Sequence, residues 1–170
     1  MTPAAAGGGR VAAVFVKPGS GSPVARADAV ELVAGVGIAG DANADPGSER
    51  QVLLVSEEEE KWLGLGAGDL RENITTRGIA IDSVPAGTQV ALGPEAVVTV
   101  TGPCEPCSFI ARVTGIPKLR MAGRRGTLGV VVRGGRVRGG DSVELLSGGK
   151  ADAGGAGGAG QADRPPGRRP

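Results

Sequence analysis

The sequence contains no histidine and no tyrosine, and only two of its 170 residues are cysteine. Without histidine, no imidazole can act as a general base, a metal ligand or a pH switch. Any demanding chemistry must therefore use a thiolate, a carboxylate, lysine, arginine or a bound cofactor. Two phenylalanines and one tryptophan are the only aromatic residues, so the stacking platforms that bind single-stranded nucleic acid are missing.

A strong charge of one sign and long apolar runs are also missing. The formal net charge is +1, which gives no overall attraction to nucleic acid or to a membrane surface. No apolar run approaches the roughly 20 residues that a transmembrane helix requires, and the short run at residues 11–16 does not fit a signal peptide. We therefore expect a cytoplasmic protein with reduced thiols and neither nucleic acid nor membrane as a partner.

The chain length suits one domain, flanked by segments that lack large apolar residues. The tail at residues 148–170 is rich in glycine, alanine and proline, and it has no apolar surface to offset the entropy lost on ordering. We predict that residues 148–170 are disordered, that residues 1–9 are flexible, and that residues 10–147 form the folded domain.

Short apolar segments rich in β-branched residues alternate with glycine and proline through the predicted domain. They predict strands at residues 11–17, 29–34, 50–55, 72–76, 88–92, 96–101, 128–133 and 142–146, with a hairpin turn at Gly134-Gly135. Ser56 and the four glutamates after it predict a capped helix start rather than a metal site, and residues 108–114 and 116–121 predict further short helices. The pattern indicates a mainly-β, barrel-like domain with a few short helices.

Both cysteines lie in one segment, Thr101-Gly102-Pro103-Cys104-Glu105-Pro106-Cys107. A C-x-x-C pair supplies half of a zinc site, but no further cysteine or histidine exists to complete it. Three interpretations stay open: a redox dithiol, a structural pair of buried thiols, and a thiolate ligand to a soft metal. The sequence favours thiol or metal–thiolate chemistry here without naming a substrate.

Five basic residues follow the second cysteine closely. They are Arg112, Lys118, Arg120, Arg124 and Arg125. Arginine forms bidentate hydrogen bonds with phosphate, so one interpretation is an anion clamp beside the cysteines. The other is a solvated basic face of the protein, and both stay open.

Several motifs follow one another along the predicted domain. They are Gly37-Ile38-Ala39-Gly40-Asp41, Arg50-Gln51-Val52, the segment from Glu72 to Ile79, Val84-Pro85-Ala86-Gly87-Thr88, Val98-Thr99-Val100-Thr101, Pro106-Cys107, residues 126–131 and residues 135–141. Together they make the chain resemble the MOSC domain, named for the C-terminal part of the molybdenum-cofactor sulfurase. The resemblance spans about residues 10–146, which is nearly all of the predicted domain.

The resemblance implies a mainly-β, barrel-like fold that binds the pterin-based molybdenum cofactor. It implies that Cys107 is the molybdenum ligand or the sulfur carrier. Relatives in the family reduce N-hydroxylated bases and amidoximes, so the expected substrate is a small molecule with a reducible N–O or S–O group. An electron-donor protein would then be required. The pyridoxal-phosphate domain of the sulfurase is not expected in this chain.

The resemblance also suggests roles for individual polar residues. The residues expected to face the pterin phosphate are Arg77, Arg112, Lys118, Arg120, Arg124 and Arg125. Asp41 and Glu72 are expected to orient ligands or backbone, and Asn73 to hydrogen-bond the pterin or the cysteine loop. For Asp41 and Asn73 the alternative is a turn-making role, because both side chains readily bond nearby backbone.

The sequence departs from the family pattern at three positions. Asn43 and Glu49 stand where small bacterial members often carry histidine, and Cys104 is an addition. Cys104 is either a resolving thiol for a persulfide on Cys107 or an inert buried residue. Two alternatives to an oxidoreductase therefore stay open: a sulfur carrier supplied by a cysteine desulfurase, and a non-catalytic cofactor-binding module.

Overall fold

The structure is a computed structural model that describes residues 8–146. The predictions for residues 1–7 and for the tail at 148–170 concern parts of the chain outside the described residues. The first strand begins at Gly8, two residues before the predicted domain boundary. Gly8 and Gly9 pair with Glu144 and Val143, because ladder hydrogen bonds use the backbone and do not require side chains.

Eleven strands make up most of the described chain. They are β1 (Gly8–Val16), β2 (Ala25–Ala27), β3 (Ala29–Val33), β4 (Gly37–Ile38), β5 (Val52–Ser56), β6 (Ile74–Arg77), β7 (Gln89–Leu92), β8 (Ala96–Pro103), β9 (Thr127–Arg133), β10 (Gly135–Arg138) and β11 (Ser142–Leu145). The predicted mainly-β fold is confirmed. The sequence patterns miss β2 and β4, because two or three residues carry too little periodicity to predict a strand.

Seven of these strands close into a barrel in the order β11-β7-β8-β9-β5-β6-β1, and β1 pairs again with β11. The barrel-like architecture is therefore confirmed. Around the barrel, β5 and β6 are the parallel pair. The helix α1 (Glu57–Trp62) lies between them in the chain, as the crossover between parallel neighbours requires. β2 adds to the end of β1.

A smaller sheet has the order β10-β3-β4. The predicted hairpin at Gly134-Gly135 is wrong, because β10 pairs with β3 rather than with β9. Gly134 is where the chain leaves the barrel for this sheet. A Cβ there would lie 2.8 Å from the carbonyl oxygen of Leu32, so the glycine serves close packing and not a two-residue turn.

Short helices cover one side of the barrel. Besides α1 they are α2 (Ser108–Thr114) and α3 (Lys118–Met121), with one 3-10 turn at Ile81–Ser83. The predicted cap at Ser56 is confirmed, since its Oγ accepts a hydrogen bond from the Glu59 N–H at 3.3 Å. Ser56 Oγ itself donates to Glu58 Oε2 at 2.9 Å. In the described part of the chain no helix is long and apolar enough to cross a membrane.

Two apolar cores share strand β5. Val52 and Leu54 pack into the barrel interior, whereas Leu53 and Val55 pack outward beneath the helices. A strand buried on both faces has a continuous apolar run instead of alternation, which explains its sequence. The outer core also contains Cys104, so that thiol lies between the barrel and the helices.

Candidate functional site

The two cysteines occupy different environments. Cys104 follows the last residue of β8 and is 6% exposed, whereas Cys107 is exposed and occupies the N-cap position of α2 without a side-chain capping bond. The Cys104 N–H donates to the carbonyl oxygen of Gly126 at 2.9 Å. This bond ties the cysteine loop to the segment that leads into β9, so Cys104 has a defined position beside Arg125.

Cys104 lines a cavity of about 140 Å³. The other lining residues are Lys17, Asn43, Arg50, Leu53, Arg125 and Leu128. Leu53 and Leu128 pair across β5 and β9 and give the cavity an apolar floor. Arg50 Nη2 lies 3.9 Å from Cys104 Sγ, within weak hydrogen-bond reach of sulfur. We call this cavity the thiol pocket; it places three cationic side chains around one thiol.

Arg125 is the most informative residue of the thiol pocket. It is 7% exposed, and its Nε and Nη1 have no hydrogen-bond partner within the described chain. A buried charged donor without a partner costs several kcal/mol, on the order of 3. Such a group is expected where a ligand completes the hydrogen bonding, and guanidinium donors select anionic acceptors. The thiol pocket therefore offers free guanidinium donors to an anion.

Lys17 brings a second cation to the thiol pocket. Burial lowers the pKa of Lys17, the Asp41 carboxylate acts in the opposite direction, and the charges of Arg125 and Arg71 lower it further. A half-buried ammonium group with this balance of charges favours a nearby anion. It is also a better proton donor than an ordinary surface lysine.

Asp41 organises the loop around the thiol pocket. Its Oδ2 accepts from the Lys17 N–H at 2.7 Å and from Asn73 Nδ2 at 2.7 Å, and its Oδ1 accepts from the Asn43 N–H at 2.8 Å. The carboxylate is 6% exposed and its oxygens are used by these donors. Asp41 thus positions Lys17 and Asn43 and does not line the pocket itself.

Asn73 links three segments beneath the same pocket. Its Oδ1 accepts from the Leu53 N–H at 3.1 Å, and its Nδ2 donates to Phe15 O at 3.4 Å besides Asp41. Asn73 is completely buried. The expected hydrogen bond from Asn73 to the cysteine loop is not among its contacts; Asn73 instead fixes β1 against β5, which carry Lys17 and Leu53 into the pocket.

Glu72 is buried away from the thiol pocket. Its Oε1 accepts from the Gly68 N–H at 2.6 Å and from Thr75 Oγ1 at 2.8 Å, so it holds the loop that precedes β6. Burial raises the pKa of the neighbouring Glu60 to about 11, and the adjacent Glu72 side chain raises it in the same direction. Glu60 is therefore neutral at neutral pH beside the Glu72 carboxylate. The expected orienting role of Glu72 applies to this loop.

The basic residues predicted to bind phosphate are divided among several surfaces. Arg112 lies over the Phe109 ring at 5.8 Å, and Arg120 and Arg124 lie over Trp62 at 5.2 and 3.6 Å. Arg124 also pairs with Glu59, Arg77 pairs with Glu57 at 3.8 Å, and Lys118 is exposed on α3. Of the six residues predicted to face the phosphate, Arg125 lines the thiol pocket.

Sequence reasoning missed Lys17, Asn43 and Arg50 as pocket residues. Arg50 opens one of the family motifs, and Asn43 was noted for replacing a family histidine. Lys17 was interpreted only as the end of a strand. A basic residue directly after an apolar strand, before Pro18-Gly19, was the available signal, but it does not indicate which other segment lies opposite.

Comparison with protein families gives a match to the MOSC domain over residues 40–144. The chain belongs to the MOSC domain family. A comparison with curated proteins gives no significant match. The family is associated with binding of the molybdenum cofactor.

Solved structures show the same fold at low sequence identity. The YuaD protein from Bacillus subtilis superposes with a TM-score of 0.69 at 22% identity, over 81% of this chain and 95% of that one. YiiM from Geobacillus stearothermophilus gives 0.65 at 21% identity, over 84% and 77%. YiiM from Escherichia coli gives 0.62 at 22% identity, over 81% and 70%. These likenesses establish the MOSC fold and nothing finer.

The residues of the thiol pocket fit the anionic, sulfur-ligated cofactor associated with MOSC domains. The unpartnered donors of Arg125 suit phosphate or oxo oxygens, and a thiolate suits a soft metal. Within residues 8–146, no group of three or more Cys, Asp or Glu side chains could hold a metal ion. A metal here would thus need most of its ligands from a cofactor. At about 140 Å³ the pocket suits the anionic end of such a group, since whole ligands occupy about 300 Å³ or more.

Proposed function

We propose that this MOSC protein binds the molybdenum cofactor at the thiol pocket and reduces N-oxygenated small molecules. The observation that carries the proposal is the buried guanidinium of Arg125, which has two N–H groups without a partner beside a thiol. Stable burial of that charge calls for an anionic ligand. Because the MOSC family is associated with the molybdenum cofactor, we take that cofactor to be the anion.

The proposal divides the work between the two cysteines. Cys107 is the metal ligand that the family resemblance implies, and Cys104 lies beside the anionic part of the cofactor. Three residues of extended chain span at most about 11 Å, so the Cα atoms of Cys104 and Cys107 lie within that distance of each other. Because Cys107 is exposed, a metal held there would be accessible to a substrate.

The cofactor, when bound, would supply the electrons and the oxygen-atom chemistry. The chain supplies binding and a proton. Arg125 and Arg50 hold and orient the anion by charge-assisted hydrogen bonds. Lys17 Nζ can donate a proton to the leaving oxygen, because burial lowers its pKa. The apolar floor of Leu53 and Leu128 excludes water and strengthens each of these interactions.

The reaction has defined stoichiometry. Reduction of an amidoxime to an amidine consumes two electrons and two protons, breaks the N–O bond and releases water. The electrons would come from a separate electron-donor protein, since the chain carries no flavin or iron–sulfur motif. The cytoplasm is the compartment we expect, because the thiols must stay reduced.

A sulfur carrier is the second candidate, and the presence of an exposed thiol close to a buried one favours it. Under this function, Cys107 would receive a persulfide from a cysteine desulfurase. Cys104 would then attack the inner sulfur and release hydrosulfide, with formation of a Cys104–Cys107 disulfide. Under this function, Cys104→Ser abolishes sulfur release and leaves molybdenum binding intact. A cofactor-binding module without catalysis would bind molybdenum and reduce nothing.

The test is the molybdenum content of protein purified from a host that makes the cofactor. We expect nearly one molybdenum per chain in the wild type, and loss of most of it in Cys107→Ser and in Arg125→Gln. Arg120→Gln is the matched control, because its guanidinium lies over Trp62. That variant should retain the metal. Metal-free wild type would refute cofactor binding.

Activity is measured on the same preparations with benzamidoxime and a reduced viologen dye as the electron source. The oxidoreductase predicts benzamidine from the loaded wild type and none from the metal-free variants. A loaded wild type that forms no amidine from amidoximes or N-hydroxylated bases would point to the non-catalytic module.

A further inference from the structure

A second cavity is lined by residues of β1, of α2 and of the loop before β6. Its volume is about 350 Å³, within the range of small-molecule sites. Phe15, Val24, Leu65 and Val113 supply apolar walls, and Arg71 and Asp69 are its charged lining residues. We call it the Arg71 cavity. Neither the fold nor the cofactor proposal assigns it a ligand.

Chain geometry connects the Arg71 cavity to the thiol pocket. Phe15 lines the first and Lys17 lines the second. Phe15 lies in β1 and Lys17 directly follows the last residue of β1, so one stretch of chain contributes to both cavities. The charge of Arg71 also contributes to lowering the pKa of Lys17, as expected for neighbouring cations. Arg71 and Lys17, one from each cavity, are therefore close enough for their charges to interact.

Arg71 has an unusual backbone and a guanidinium that is not paired. Its φ is 64°, a left-handed conformation that is costly for a residue with a side chain. The Arg71 Nε is buried and has no hydrogen-bond partner within the described chain. The guanidinium lies 5.9 Å from the centre of the Phe109 ring, and no carboxylate among residues 8–146 forms a salt bridge with it.

Asp69 lines the same cavity but forms no salt bridge with this guanidinium. Its Oδ2 accepts from the Gly66 N–H at 2.8 Å, and the residue is exposed. The cavity thus offers several apolar side chains and one guanidinium that forms no salt bridge among residues 8–146. An aromatic ring with one carboxylate matches both features, because the ring covers the apolar walls and the carboxylate accepts two parallel guanidinium hydrogen bonds.

We propose that the Arg71 cavity is the substrate site and that it binds a small aromatic carboxylate through Arg71. The assignment rests on the proposed function in one respect: the reducible N–O group of such a substrate would face the thiol pocket. Binding of the carboxylate itself needs no cofactor. The substrate class is thereby narrowed from N-oxygenated compounds in general to those that carry an aromatic acid.

The test uses benzoate as the probe and benzamide as its neutral analogue, with the cofactor-free protein and binding followed by NMR titration. We expect benzoate to bind at least about tenfold more tightly than benzamide, a charge-assisted contact being about twice as strong as a neutral one. Arg71→Gln should lose that preference, and Arg71→Lys should retain part of it. Thermal melting of each variant shows whether the fold is kept.

Two further variants make the result specific. Arg112→Gln is the matched control, because Arg112 lies over the same Phe109 ring at 5.8 Å but does not line the cavity; it should bind benzoate like the wild type. Val113→Asp, at an exposed position, places a carboxylate in the apolar wall and should weaken benzoate about tenfold through like-charge repulsion.

Three outcomes overturn the assignment: equal binding of benzoate and benzamide, equal effects of Arg71→Gln and Arg112→Gln, or loss of benzoate in Arg125→Gln with retention in Arg71→Gln. The last outcome would place the acid in the thiol pocket. Molybdenum content separates the two proposals, because Arg71→Gln should keep the metal. A wild type that holds molybdenum but shows no preference for benzoate would refute this inference alone, and a wild type that prefers benzoate but holds no molybdenum would refute only cofactor binding.

Discussion

Asp82 gives the sharpest prediction of pH-dependent stability. It lies in the 3-10 turn at Ile81–Ser83, against a cavity also lined by Glu58 and Glu59. Both carboxylate oxygens of Asp82 are buried without a hydrogen-bond partner in the described chain. Burial raises the pKa of Asp82 to about 7, and the charge of Glu59 acts in the same direction. The fold therefore favours the protonated acid.

The sign and size of the effect follow from proton linkage. In the unfolded chain Asp82 ionises near its ordinary pKa of 3.8, whereas in the folded protein it stays protonated up to about 7. The contribution of Asp82 to the free energy of unfolding is therefore complete below pH 3.8, and it is lost as the pH rises from 3.8 to about 7. About three pKa units correspond to about 4 kcal/mol. Because the side chain keeps some solvent access, we expect about half, or about 2 kcal/mol.

Asp82→Asn tests this reasoning, because the amide has nearly the shape of the protonated acid and never ionises. The variant should match the wild type near pH 4 and exceed its free energy of unfolding by about 2 kcal/mol near pH 8. Urea unfolding across that range measures the difference. Asp28→Asn, at an exposed bend between β2 and β3, should follow the wild type throughout. An Asp82→Asn difference independent of pH would refute the raised pKa.

Substitutions at two positions test the supports of the thiol pocket. Asn73→Ala removes a hydrogen-bond partner from Asp41 and from the Leu53 N–H, and it should lower the free energy of unfolding by about 3 kcal/mol. Asn73→Asp should lower it more at pH 8 than at pH 5, because a second carboxylate then faces Asp41. An equal loss at both pH values would contradict this reasoning. Gly126→Ala places a Cβ 2.5 Å from the Leu54 carbonyl oxygen at a φ of 95° and should cost well over about 1 kcal/mol. The variant should also lower the molybdenum content, because the Gly126 carbonyl oxygen accepts the hydrogen bond that positions Cys104. A melting temperature equal to that of the wild type would disprove the clash.

The barrel could be predicted because its signals are local. The β-branched runs of β1, β5, β8 and β9 and the cap at Ser56 each depend on residues close in sequence, and all appear within a few residues of their predicted positions. The hairpin prediction at Gly134-Gly135 failed because glycine pairs also occur where strands pass closely. Nothing local distinguishes the two uses, and the deciding contact is with Leu32.

The site was predicted only in part because its residues converge from distant segments. Arg124 and Arg125 are neighbours in sequence, yet one lies over Trp62 and the other lines the thiol pocket. A run of basic residues therefore says little about which of them share a surface. Lys17 and Arg50 reach the pocket through the register of β1, β6 and β5, which no single segment encodes.

The balance of charge explains why Asp41 is close to the thiol pocket without being one of its ligands. Lys17, Arg50 and Arg125 bring three positive charges to a cavity with an apolar floor, where repulsion among cations is weakly screened. The Asp41 carboxylate accepts hydrogen bonds from the N–H groups of Lys17 and Asn43. Its negative charge therefore offsets part of the repulsion among the cations, while its oxygens remain bound to these backbone donors. About two positive charges then remain for a ligand, which matches a phosphate group near neutral pH. A carboxylate that lined the pocket would repel an anionic ligand. A carboxylate behind the loop stabilises the empty pocket by reducing the repulsion among the cations, and it leaves their hydrogen-bond donors free for the anion.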